Sequence, residues 1–111
     1  MTAATPPYRW ATLYVDEPDP AVVVAETARL LGVRPSGLDI FTVPGFTVDV
    51  RRNPDRTESG QVLDWRTMIE VDAALDVPDV AVVAFVARLM SHLREAGHRV
   101  AADCDFANEL R

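Results

Sequence analysis

Carboxylates are the residues of this chain best placed to do chemistry. Asp64, Arg66 and Glu70 fall on alternate positions of one segment, and Asp49 and Arg51 on alternate positions of another. Alternate residues of an extended strand share a face, so neighbouring strands would join the five into one charged patch. Asp and Glu can carry general acid–base chemistry without other groups when their environment sets one carboxyl apart. The same residues also form cross-strand ion pairs on a wetted surface, and the alternation of signs suits that plainer role. Asp49, Arg51, Asp64, Arg66 and Glu70 are therefore the candidate binding surface, with no catalytic residue assigned.

The other reactive side chains are few. Cys104 stands alone between Asp103 and Asp105. A thiol needs an electropositive setting to become a nucleophile, so a small core residue is the better reading of it. His92 and His98 are six apart, not at the three- or four-residue spacing that puts two ligands on one helical turn. No metal site is expected. Glycines are scattered, with no phosphate-cradling loop and no CxxC pair, and no cofactor is expected. Trp10, Tyr14 and Trp65 could line a pocket between sheet and helices, with Glu70 as its polar group, although aromatics on central strands more often belong to the core.

The elements that must position these residues follow from periodicity. Tyr8 to Val15 reads as a strand. Asp19, Pro20 and Gly32 supply the N-cap, first position and C-terminal stop of a helix whose apolar face holds Val23, Val24, Thr27, Leu30 and Leu31. Leu38 to Arg52 reads as one long strand, bent or bulged at Pro44-Gly45 and confined to a sheet edge by its proline. Residues 53–61 are polar and turn-rich, which predicts a flexible hairpin loop. Val62 to Asp72 alternates as a strand. Asp79 should cap a second helix ending at Gly97, with Val82, Phe85, Val86, Leu89, Leu93 and Ala96 as its buried stripe. Arg99 to Phe106 is the last strand.

This β-α-β-β-α-β order predicts an α+β fold, a ferredoxin-like βαββαβ sandwich with a four-stranded antiparallel sheet and both helices on one face. An internal duplication supports it. Trp10-Ala11-Thr12-Leu13-Tyr14 reads against Trp65-Arg66-Thr67-Met68-Ile69, and Pro18-Asp19-Pro20-Ala21-Val22-Val23 against Pro78-Asp79-Val80-Ala81-Val82-Val83. That repeat places Trp10 and Trp65 at equivalent points of the central strand pair. Arg9, Ala11, Leu13 and Val15 are then expected on the open face of the sheet, beside Asp64, Arg66, Met68 and Glu70.

At 111 residues, 49% hydrophobic and 25% charged, the chain suits one globular domain over 1–111, with 1–7 flexible at its start. Its net charge of −6 opposes binding to nucleic acid or an anionic membrane, both of which need a basic stripe. All eleven basic residues are Arg, a bias that a GC-rich genome explains as well as anion recognition does. No apolar run approaches the ~20 residues of a membrane span, and a lone cysteine suits a reducing compartment, so a cytoplasmic protein is expected. These features favour a non-enzymatic protein-binding module, such as an inhibitor or immunity-type partner of a basic protein. The alternative is a small dimeric α+β enzyme or ligand-binding protein. A mixed apolar and charged sheet face further predicts a homodimer.

Overall fold

A computed structural model describes residues 7–37, 39–54 and 65–110. Its elements run β1 (Trp10–Val15), α1 (Pro20–Leu31), β2 (Ile40–Val43), β3 (Phe46–Arg52), β4 (Thr67–Ala73), α2 (Asp79–Glu95) and β5 (Val100–Asp103), between short 3-10 turns at Pro7–Arg9 and Ala107–Glu109. The fold is α+β. Its sheet has five strands in the order β2-β3-β4-β1-β5, with every neighbouring pair antiparallel.

The extra strand corrects the expected four. Leu38 to Arg52 is not one bent edge strand. Val43 pairs with Phe46 across Pro44-Gly45, so the Pro-Gly pair is a two-residue hairpin turn. Proline presets the first turn position, and Gly45 supplies the second with φ +85°, a region costly to any residue with a side chain. The hairpin is held from outside, since Gly45 O accepts the Ala74 N–H at 2.9 Å. The proline remains at the edge, now in the turn rather than in the ladder.

Both helices have explicit ends. The Asp19 carboxylate accepts the Ala21 N–H at 3.0 Å, and left-handed Gly32 donates to Ala28 O at 2.9 Å. The end of α2 is a Schellman motif: His98 N–H bonds Leu93 O, and Gly97 N–H, at φ +96°, bonds Arg94 O. Asp79 does not cap α2 as expected. It is the first helical residue and makes no capping bond; its carboxylate instead accepts the Arg9 guanidinium at 2.9 Å. Arg9, only 7% exposed, also donates to Ala74 O and to Val77 O, tying the start of β1 to the β4–α2 connection.

The helices touch each other, with α1 against β3 and β4 and α2 against β5, so both cover one face. Leu13, Val15, Phe41, Val48, Val50, Ile69 and Val71 meet Val23, Val82, Val86, Leu89 and Leu93 there in one buried cluster. This reverses the expected orientation of the first strand. Ala11, Leu13 and Val15 point into the core and not onto the open face, and Arg9 is buried. Both sets of alternate residues in β1 are bulky, so hydrophobicity alone does not show which set is inside.

The last strand also stops early. It ends at Asp103, and the chain turns so that Ala107 N–H reaches Cys104 O. Phe106 then folds under the core and stacks on Tyr8 with ring centroids 5.0 Å apart. Tyr8 belongs to the turn before β1, not to the strand. Of the expected 53–61 loop, Asn53 is buried, and residues 55 onward lie outside the described residues. The expected flexible stretch 1–7 lies outside them up to residue 6.

Candidate functional site

Strand register fixes what the open face of the sheet displays. Asp72 lies between Thr47 of β3 and Trp10 of β1. One step along, Asp49, Glu70, Thr12 and Asp103 form a row across β3, β4, β1 and β5. The next row is Arg51, Met68, Tyr14 and Ala101. Arg66 and Arg99 extend their strands by one residue, Arg66 O accepting the Asn53 N–H and Arg99 O the Asp16 N–H. Alternation sets both arginines on the open side.

Four carboxylates thus gather toward one end of the strands. Asp49 and Glu70 stand directly opposite each other, an unfavourable like-charge pairing. Arg51 relieves it by reaching diagonally to the Glu70 carboxylate at 2.5 Å, and this bond holds the guanidinium in its charged form. Asp72 has no such help. Asp72 is exposed overall, but partial desolvation raises its carboxyl above the usual aspartate range, and the charges of Glu70 and Asp49 raise it further.

Two hollows flank Asp72. One, of about 220 Å³, lies toward β1 among Trp10, Thr12, Glu70 and Asp72. The other, of about 350 Å³, lies toward the hairpin turn among Thr42, Gly45, Phe46, Thr47 and Asp72. Trp10 borders the first and is 42% exposed. An aromatic face beside carboxylates offers stacking, cation–π and ion-pair contacts to a cationic or amide-bearing surface.

Of the expected surface, Asp49, Arg51 and Glu70 come together on the open face, and Arg66 is exposed at the start of β4. Asp64 lies outside the described residues. The expected pocket between sheet and helices is corrected. Trp10 and Tyr14 lie on the opposite face, because the residues alternating with them fill the core. Trp65 precedes β4 and carries the Arg99 guanidinium 5.2 Å above its ring. Asp72, Asp103 and Thr12 complete the face and lie outside the expected set. Alternation with Glu70 already points to Asp72, whereas Asp103 and Thr12 need the position of β5 beside β1.

The remaining reactive groups lie apart. The Cys104 thiol is pushed up by burial and by Asp103 and Asp105, against one backbone N–H from Phe106, which keeps it from being a ready thiolate. His92 of α2 meets Glu26 of α1 at 3.0 Å, and His98 meets Glu17 at 3.7 Å between the α2–β5 and β1–α1 connections. Among the described residues, no three metal-binding side chains converge, and no helix is long and apolar enough to cross a membrane. No protein-family model, curated protein or solved structure matches this chain.

Proposed function

We propose that the protein is a non-enzymatic binding module, an inhibitor or immunity-type partner of a basic protein, that engages its partner through the open face of the sheet. One observation carries this reading: Trp10 stands exposed beside Asp72 and Glu70 on a sheet face that neither helix covers. Exposed aromatics with desolvating neighbours supply most of the energy in protein interfaces. Carboxylates around them select and steer a cationic partner, and the net charge of −6 adds long-range attraction.

The order of the strands supports a ferredoxin-like reading. With β2 set aside as an added edge, β3-β4-β1-β5 under two helices on one face follows the βαββαβ plan. On that plan the repeat would relate β1-α1-β3 to β4-α2-β5, although its strand alignment sets open-face Trp10 and Thr12 against Trp65 and the buried Thr67. A second functional reading, a small ligand-binding protein or enzyme, is favoured by Asp72, whose raised carboxyl beside a hollow is a common mark of acid–base sites.

A photo-cross-linking residue at Thr12, in the middle of the face, separates these readings in the native host. Adducts to a basic protein, lost on Trp10→Ala, are expected. Adducts only to other chains of the same protein, or basic adducts that survive Trp10→Ala, would overturn the assignment.

A further inference from the structure

The open face is electrically polar along its strands, and the polarity is the same on three of them. On β3, Asp49 lies toward the Trp10 end and Arg51 toward the other. On β4, Asp72 and Glu70 lie toward the Trp10 end and Arg66 beyond the opposite one. On β5, Asp103 lies toward the Trp10 end and Arg99 beyond the other. Thr12, Tyr14, Met68 and Ala101 are the uncharged members of the same two central rows, beside Asp49, Glu70, Asp103 and Arg51.

We propose that a second copy of the chain covers this face, the two sheets packed face to face about a two-fold axis running across the strands. Such an axis keeps each strand over its counterpart and reverses its direction. Asp72 then faces Arg66 of the partner subunit, and Asp49 faces Arg51 of the partner subunit, which also bonds Glu70 within its own chain. Asp103 lies one row short of the partner's Arg99, whose guanidinium bonds Asp16 within its own chain. Every contact occurs twice, as two-fold symmetry requires. The rotation sets Thr12 over Tyr14 of the partner subunit near the axis, with opposite charges meeting on the strands to either side. A parallel arrangement would instead stack carboxylate on carboxylate.

The dimer stands independently of the basic-partner reading. A basic partner would compete with the second copy for the same face, so dimer and complex would be alternative states. The carboxylate end has only Arg51 as a cation among the described open-face residues of the two rows beside it, and the second copy supplies the missing positive charge. The raised Asp72 carboxyl agrees with a group that meets no cation among the described residues of its own chain.

Charge reversal with complementation tests the geometry. Asp72 and Arg66 are both exposed, so Asp72→Arg and Arg66→Glu should leave the fold intact. Sedimentation at high micromolar protein and low salt should give wild type at twice the 12.2 kDa chain mass. Each variant alone should dissociate, its Kd raised at least about tenfold, equivalent to ~1.4 kcal/mol. Mixed in equal amounts, the two variants should restore the dimer. In the mixed pair the arginine introduced at position 72 faces the glutamate introduced at position 66, and the native Arg66 of one variant faces the native Asp72 of the other. A monomeric wild type, unaffected variants or a mixture that stays monomeric would each overturn the proposal. A monomeric wild type that still cross-links to a basic protein through position 12 would overturn this inference alone.

Discussion

Arg9 shows how one side chain decides the geometry around the candidate face. Its guanidinium spans Ala74 O, Val77 O and the Asp79 carboxylate, which anchors the chain just before Trp10. A planar fork with five donors can serve three acceptors at once, whereas a lysine ammonium is a single point on a flexible stem. Arg9→Ala should cost about 2–3 kcal/mol in denaturant unfolding, and Arg9→Lys should recover less than half of that. Full rescue by lysine would show that charge alone matters. Asp72 gives the opposite case, a group whose surroundings disfavour its ionised form. Its folded carboxyl titrates above the unfolded value, so the folded state holds the extra proton in that interval. Stability therefore increases as pH falls through the interval and is lowest above it. At protein concentrations too low for association, Asp72→Asn should stabilise the neutral protein, by no more than about 1 kcal/mol for an exposed group. The gain should vanish in acid, and a gain of equal size at both pH values would point to another cause.

Elements differ in how openly the sequence announces them. Caps and stops around Asp19, Gly32 and Gly97 are legible because each residue has a local backbone reason to be there. The faces of β3 and β4 are legible too, since Val48, Val50, Ile69 and Val71 alternate with charges. β1 is not, because Trp10, Thr12 and Tyr14 compete with Ala11, Leu13 and Val15 for the inside, and only packing against the helices settles the choice. The Pro44-Gly45 turn reads in sequence as a bend because a strand interrupted by two residues matches either outcome until register is known. Gly45→Ala should cost about 1–3 kcal/mol: the backbone sits at φ +85°, and a Cβ there would lie 2.9 Å from Val77 Cγ2. Little change in thermal midpoint would mean that the turn relaxes easily. In α2, Leu89 is fully buried at the centre of the stripe, and Leu89→Ala should cost about 2–5 kcal/mol in chemical denaturation. A cost below about 1 kcal/mol would mean that the cavity collapses.

At the scale of the whole molecule, the candidate face depends on contacts that sequence spacing does not reveal. Asp49, Arg51, Arg66 and Glu70 can be grouped from sequence because β3 and β4 are near neighbours along the chain. Trp10, Asp103 and Arg99 join them only because β1 packs beside β4 and β5 beside β1, an arrangement set by the helices crossing between them. The place of β1 also governs when this molecule can fold. It precedes every other described strand along the chain yet ends inside the sheet, with Val15 opposite Thr67 on one side and Val100 on the other. On a ribosome the strand waits unpaired until β4 (Thr67–Ala73) emerges, and one of its sides stays open until β5 (Val100–Asp103) follows. Among the described strand pairs the β2–β3 hairpin joins the residues nearest in sequence, so it has the smallest loop to close and forms ahead of the others. Pulse-labelled hydrogen exchange during refolding should find the amides of the hairpin protected before those of Leu13 and Val15. The reverse order would assign the nucleus to the long-range pairing instead. During synthesis the apolar residues of β1 are therefore the ones left longest without their final neighbours, and a chaperone that shields Leu13 and Val15 at the ribosome would raise the yield of folded protein more than one acting on any later segment.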